Sequence, residues 1–281
     1  MAKRRETTAK QGHIRIEEVT KIYDPEGVNV LAVENCSFEI KPGAFLAIVG
    51  PSGCGKTTML NMVAGFDTVT KGKIYMDDSL LAAPNKKLLP GPDRVVVFQQ
   101  GALFPWETVL DNIIFGPLAS GLMKKEEAIE KAISLIEIAG LKGFENEYPV
   151  KISSGMLRRV EILRALINEP KILLLDEPFR ALDALTKSIM HRFLLDMYEV
   201  VGKSIMFITH DLDEAIYLGD NVGIMTTRPG RFKKWIEVDI PRPRYDEVKS
   251  SKPFLDMKKE VVEAVHEEAV KSFERGEREM A

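Results

Sequence analysis

The sequence predicts an α/β fold built on a largely parallel sheet, and three observations carry that expectation. Short apolar, β-rich runs alternate with segments of helical periodicity along most of the chain, the pattern of strands joined by crossover helices. The run FLAIV, Phe45 to Val49, leads into the glycine-rich GPSGCGKT and then a helical pattern, giving strand, loop and helix in that order. The run KILLLDEP, Lys171 to Pro178, sets four consecutive apolar residues before two carboxylates. That is how a strand buried on both faces reads when it ends at the carboxyl edge of a sheet.

The remaining elements follow in order. After the FLAIV strand, Gly55 to Ala64 reads as a helix. RVVVF, Arg94 to Phe98, reads as a strand behind the Pro/Gly-marked loop PNKKLLPGPD. From Lys124 to Ala139 the apolar residues Ala128, Ile129, Ala132, Ile133, Ile136 and Ala139 keep helical spacing. KILLLD, SIMFITH and NVGIMTT add three strands with helices between them, RPG (Arg228 to Gly230) is a turn, and RFKKWIEVDI resembles a final strand. Past PRPR (Pro241 to Arg244) a charged helix, Phe254 to Arg275, forms an appendage whose sticky face is expected at Val262, Val265, Ala269 and Phe273. A solvated tail, a cover for the sheet's edge and a dimer contact all stand open for it, with packing on the main domain expected.

Composition narrows the function classes. At 281 residues the chain suits one large domain with an appendage. A hydrophobic content of 45% with 29% charged residues is ordinary globular composition. The net charge of −3 offers no general attraction to nucleic acid. Cys36 and Cys54 lie 18 apart without CxxC spacing, which argues against a disulfide scaffold or zinc site and for a reducing cytoplasm. The basic start MAKRRETTAK has no apolar stretch after it, so no signal peptide is expected, and no run approaches membrane-spanning length. His13, His191 and His266 share no metal-ligand spacing. No internal repeat is seen, and there is one glycine-rich loop of this type.

GPSGCGKT (Gly50, Pro51, Ser52, Gly53, Cys54, Gly55, Lys56, Thr57) fits G-x-x-x-x-G-K-[ST] in the strand-to-helix context that gives this pattern its meaning. Backbone N–H groups of such a loop approach phosphate oxygens, and the helix N-terminus adds favourable partial charge. Lys56 is placed to reach the β/γ-phosphates of ATP, Thr57 to give its hydroxyl to Mg²⁺, and Thr58 to line the same turn. Cys54 is read as a small residue that the loop tolerates. At the end of KILLLDEP, Asp176 is positioned for the Mg²⁺ shell and Glu177 to polarise an attacking water.

Other stretches stand in the order of a known family. KIYDPEG carries Tyr23; VFQQGALFPW carries Gln99; KISSGMLRRVEILRAL precedes the acidic strand; RALDALT carries Asp183; FITHDLDEAI carries His210. Over nearly all of residues 14 to 243 the chain resembles an ABC-transporter ATPase subunit. LFPWETVLDNIIFGP, DEPFRALDALT, RPGR and DIPRPR resemble the nitrate/sulfonate/taurine importer branch. The resemblance implies a P-loop NTPase ABC cassette: a RecA-like core, a β-rich N-terminal subdomain, a helical signature subdomain at about 101–168, and a C-terminal helical appendage at 244–281. It implies that Tyr23 stacks on adenine, that Gln99 joins Thr57 and Asp176 at Mg²⁺, that Ser153 and Gly155 meet a trans nucleotide, that Asp183 belongs to the D-loop, and that His210 senses the γ-phosphate. Its implied cofactors are ATP and Mg²⁺. Its implied partners are a second copy of the chain in a homodimer, permease subunits and a solute-binding protein, with no nucleic acid, at the cytoplasmic face of the cell membrane. Pro105 and Trp106 stand where the family meets its permease, though Trp106 also reads as ordinary core.

The departures matter as much as the matches. The family's signature reads Leu-Ser-Gly-Gly-Gln, or Met last in this branch; here it is Ile152, Ser153, Ser154, Gly155, Met156. Serine near a helix start is a favourable cap, but where a turn demands positive φ its Cβ costs about 1–2 kcal/mol. Arg158 and Arg159 stand where one arginine is usual, Glu161 replaces a small residue, and Arg180 stands where glycine or serine is common. Glu161 is three residues before Arg164, so an i,i+3 pair is expected between them. The leading expectation is a working ATPase motor of an importer. A weakly hydrolysing, partner-dependent cassette and a soluble ABC protein without a transport role remain as alternatives.

Overall fold

In IRIEEVTKIY, apolar residues alternate with polar ones, and the segment forms strand β1 (Ile14–Tyr23) with Ile14, Ile16 and Val19 turned into the core. The structure, a computed structural model, describes residues 11–24, 27–86 and 88–274. The chain forms two units, residues 1–90 with 201–281 and residues 91–200.

In the first unit β1 runs antiparallel to β2 (Val30–Ile40), with Ile14 opposite Ile40 and Ile16 opposite Phe38. A register shift between Ile16 and Val19 coincides with positive φ at Glu18, the signature of a bulge that returns the next apolar side chain to the core. β3 (Phe45–Val49) follows, then helix α1 (Lys56–Ala64), β4 (Lys71–Met76) and β5 (Ser79–Ala82). The antiparallel sheet has the order β2-β1-β4-β5, which is the expected β-rich N-terminal part.

The second unit holds β6 (Arg94–Val97), α2 (Val109–Ala119), α3 (Lys125–Ile138), α4 (Ser154–Leu166), β7 (Ile172–Asp176) and α5 (Ala184–Val201). β6 and β7 are parallel, Arg94 facing Ile172 and Val97 facing Leu175. The strand expected to reach Phe98 stops at Val97, and Phe98 is exposed. On α3 the expected periodicity buries Ala128, Ala132 and Ile136, while Ile133 faces outward. A stripe of this width covers only the middle of the apolar positions.

The first unit resumes with β8 (Ser204–Ile208), α6 (Leu212–Leu218), β9 (Asn221–Met225), β10 (Phe232–Glu237) and α7 (Lys252–Glu274). β3 lies between β8 and β9, parallel to both, and β10 runs antiparallel beside β9. Covered on either side, every residue of FLAIV is buried, as a continuous apolar run requires. Arg244 reaches back to α6, its guanidinium donating to the carbonyls of Ile216 (3.0 Å), Tyr217 (3.0 Å) and Gly219 (2.7 Å). A cation there satisfies carbonyls that the helix end leaves without partners.

The appendage helix packs on its own unit, but on a different face from the one expected. Phe254, Val261, Ala264 and Glu268 are buried, whereas Val262, Ala269 and Phe273 are exposed and Val265 is half-buried; Arg275, the expected end, lies outside the described residues. Phe254, Val261 and Ala264 form the buried apolar stripe, and ion pairs accompany it: Lys233 with Glu268 (3.0 Å), Lys234 with Glu260 (2.9 Å) and Lys258 with Asp213 (2.8 Å).

Candidate functional site

The phosphate loop leaves β3 and turns into α1. Gly55 is the N-cap in the left-handed region, φ 99°, which glycine adopts without the steric penalty of a Cβ. A Cβ there would also stand 2.8 Å from Val33 Cγ2. The Lys56 ammonium is buried and donates to the carbonyls of Gly50 and Pro51, both at 2.9 Å. Lysine so held is a preplaced point charge at a helix N-terminus. The buried Cys54 thiol is pushed up from its ordinary pKa by burial, against the opposing charge of Lys56, which makes it an inert packing residue.

A segment that sequence reading treated as a plain turn braces this loop. At Gly230 a Cβ would fall 2.0 Å from the carbonyl oxygen of Cys54. Gly230 is also bonded to β2, donating to Ala32 (2.9 Å) and accepting from Glu34 (2.9 Å). No pattern in the sequence marked this approach, because it joins residues 54 and 230 through tertiary packing alone.

Tyr23 ends β1 on the same unit. Its hydroxyl donates to Asp67 and lies 3.5 Å from the Thr58 hydroxyl. Lys21 Nζ is 2.5 Å from Asp67 and 4.7 Å from the Tyr23 ring centroid. Burial acts to raise the Asp67 pKa, but the bonds from Lys21, Tyr23 and the Thr68 amide outweigh it and hold the carboxyl below its ordinary value. Burial and then Asp67 push the Tyr23 phenol up, keeping it neutral. His210 follows β8 and is exposed; its neighbour Thr209 donates its amide to the Ile48 carbonyl at 3.2 Å. Because Ile48 and Ile208 are register partners, Gly50 and His210 each stand two residues beyond that pair, on one edge of the sheet.

The second unit repeats this arrangement. Val97 and Leu175 are register partners, so Gln99 and Glu177 each lie two residues past the last paired residue. Gln99 is exposed; Asp176 and Glu177 are buried. Glu177 takes φ 45°, a left-handed conformation rare for a residue with a side chain. Arg180 Nη1 is 3.2 Å from Glu177 Oε2. Asp183 caps α5, accepting from the Thr186 amide (3.0 Å) and hydroxyl (2.6 Å), and these bonds lower its pKa.

In KISSGMLRRVEILRAL, Ser153 is the N-cap of α4 at φ −70°, ψ 161°, and accepts from the Met156 amide at 3.4 Å. Ser154 is the first helical residue, exposed and outside the left-handed region, so it carries no Cβ penalty. Gly155 is buried, and a Cβ there would lie 2.8 Å from Thr186 Cγ2. The expected Glu161–Arg164 pair is not the contact formed. Glu161 pairs with Arg158 at 2.6 Å, while Arg164 donates to the Ala102 carbonyl (2.7 Å) and lies over the Phe104 ring. Both spacings are i,i+3; burial selects the inner arginine. Trp106 is not core: it is 69% exposed and stacks on Phe104.

The family described as ABC transporter matches residues 33–180 of this sequence. The chain belongs to the ABC transporter family. An uncharacterized ABC transporter ATP-binding protein of Methanocaldococcus jannaschii is 43% identical over 92% of this chain and 94% of its own length. An aliphatic sulfonates import ATP-binding protein, SsuB, of Bacillus cereus is 41% identical over 89% of this chain and 94% of its own. A dimeric ATP-binding cassette, MJ0796, solved in a post-hydrolysis state bound to ADP and Pi, superposes with TM-score 0.68 at 32% identity, covering 81% of this chain and 100% of that one.

This ABC chain is thus an ATP-binding subunit and an ATPase. Thr57 carries a hydroxyl in the first unit, and Gln99 and Asp176 carry an amide and a carboxylate in the second; hard oxygen donors of this kind suit Mg²⁺. Among the described residues no group of three or more His, Cys, Asp or Glu is placed to cage a metal. Among them, too, no helix is long and apolar enough to cross a membrane.

Proposed function

We propose that this ABC ATPase is the motor of an importer for a small solute of sulfonate, nitrate or taurine type. The SsuB relatives, similar over nearly the whole chain, support the solute class. The observation that carries the motor reading is that one chain holds both a phosphate loop with a buried Lys56 and a buried carboxylate, Glu177, at the end of an apolar strand.

Two copies close head to tail in a homodimer. Each ATP is held by the phosphate loop of one copy, Gly50 to Thr58, with Tyr23 on the adenine. The Ser153 hydroxyl and the N-terminus of α4 from the other copy meet the γ-phosphate. Lys56 neutralises the β/γ-phosphates. Thr57, Gln99 and Asp176 would hold Mg²⁺, which would offset phosphate charge. Glu177 orients and polarises the attacking water, His210 contacts the γ-phosphate, and Asp183 meets the facing copy. Positioning and charge dominate such phosphoryl transfer. Closure and reopening are passed to permease subunits through the region of Pro105 and Trp106, and a solute-binding protein supplies specificity. The motor rests on the inner face of the membrane.

Steady-state Mg²⁺-ATP hydrolysis by the full chain tests this, with Glu177→Gln and Ser154→Gly beside it. Wild-type turnover lost in Glu177→Gln is the expected result; turnover surviving at full rate would remove Glu177 from the chemistry. Ser154→Gly is expected to gain nothing, since Ser154 occupies an unstrained first-turn position. A gain of roughly 10²–10³, the effect of regaining one blocked transition-state donor, would favour a disabled signature that depends on a partner.

A further inference from the structure

Two of the residues that set this chain apart in its signature helix meet each other. Arg158 and Glu161 form a buried ion pair at 2.6 Å, each residue 8% exposed. The pair does not end there. Arg158 Nη1 donates to the Phe98 carbonyl and Nη2 to the Gln99 carbonyl, both at 2.8 Å. Glu161 Oε1 accepts the Ala102 amide at 3.0 Å. One guanidinium and one carboxylate thus hold three backbone groups of the segment Phe98–Ala102 against α4. A cavity of about 220 Å³ adjoins Glu161, bordered also by Phe98, Ala102, Phe115 and Arg164.

Removing two charges from water costs several kcal/mol per ion, and the mutual attraction offsets this only when the remaining polar atoms are also bonded. Packing alone would be served by apolar residues of the same volume. The planar fork of arginine is what lets one side chain hold two adjacent carbonyls in fixed directions. We propose that Arg158 and Glu161 are positioning residues that lock the Gln99 backbone to the signature helix, so that Gln99 moves only as α4 moves. Neither is among the residues proposed above to contact nucleotide. The inference rests on the proposed role of Gln99 at the cation.

Two variants of the full chain separate positioning from filling. Glu161→Gln keeps the arginine fork and an oxygen that can accept the Ala102 amide. Arg158→Met with Glu161→Leu keeps the volume and removes every polar contact to the segment. Glu161→Gln is expected to retain kcat within about threefold, and the apolar pair to lose about tenfold or more with KM for ATP unchanged; misplacement of about 1 Å can cost about 10²-fold, and an equal fall in kcat and kcat/KM marks loss of a transition-state interaction. A folded apolar pair that turns over like wild type would overturn the proposal.

Hydrogen exchange at the amides of residues 99–102 is read on the same samples and does not depend on turnover. Faster exchange in the apolar pair is expected, and protection equal to wild type overturns the lock even if the chain proves silent as an ATPase. Should the apolar pair fail to fold, Arg158→Lys decides. It keeps the charge beside Glu161 but not the fork, so lower kcat and faster exchange at unchanged melting temperature are expected; wild-type values for both would sink the idea. Glu177→Gln, run alongside, reports on the hydrolysis reading separately.

Discussion

Gly155 and Thr186 pack so closely that a Cβ on the glycine would lie 2.8 Å from Thr186 Cγ2. The glycine of the signature is therefore required by α5 of its own chain, apart from any nucleotide. Gly155→Ala is expected to cost about 1–3 kcal/mol, the usual range for overpacking. Adding Thr186→Ser removes the methyl while keeping a hydroxyl for Asp183, and should recover most of that loss. Urea denaturation of the three proteins checks it; an unrescued double variant would point to a backbone cause instead.

Arg180 stands 3.2 Å from Glu177 with its side chain half in solvent. Glu177 is buried, but solvent around the arginine screens the pair towards the surface range of about 0–1 kcal/mol, so the arginine restrains the carboxylate weakly. Arg180→Ser is expected to leave folding intact and raise basal ATP turnover by at most about fivefold, the rate equivalent of that energy. A fall in turnover would show that the arginine serves the reaction instead of restraining it.

Gly230 carries no candidate role in chemistry, yet a Cβ on it would meet the Cys54 carbonyl at 2.0 Å. The backbone of the phosphate loop would have to move. Gly230→Ala should weaken nucleotide binding by at least about tenfold, the equivalent of roughly 1.4 kcal/mol, without altering any phosphate-contacting residue. A fluorescent-nucleotide titration measures it, and unchanged affinity would show that the loop tolerates the shift.

α7 is fastened by Glu268, which is nearly fully buried and accepts from the Thr227 amide (3.2 Å), Lys271 (2.6 Å) and Lys233. Burial works to raise its pKa, but Lys271, Lys233 and the Thr227 amide together hold it below the ordinary glutamate value. A folded pKa below the unfolded one means stabilisation that is fully present above the ordinary glutamate range and lost as pH falls through the lowered value. Thermal melts of wild type and Glu268→Gln should therefore differ at neutral pH and converge in acid. Identical melts at neutral pH would remove Glu268 as a fastening point.

The alternation of strands and helices, the phosphate loop, the acidic strand end and the order of the family's motifs were all legible in the chain. Each is a local pattern, since period and turn chemistry are set by neighbours in sequence. The same locality explains the misreadings. Glu161 has arginines at both i−3 and i+3, and spacing cannot choose between them; burial beside the Phe98–Ala102 backbone chose Arg158. On α7 the apolar residues Val262, Val265, Ala269 and Phe273 suggested one face, but packing buried another, that of Phe254, Val261 and Ala264.

By itself the sequence determined the fold class, the candidate phosphate-binding and acidic residues, and the family. Only the tertiary structure decided that Ser154 is an unstrained helical residue, that Gly155 answers to Thr186, that Gly230 packs against the phosphate loop, and that Arg158 holds the Gln99 carbonyl while Glu161 holds the Ala102 amide. These are contacts between segments distant in sequence, or choices among equivalent local spacings, and burial in a close-packed interior settles them.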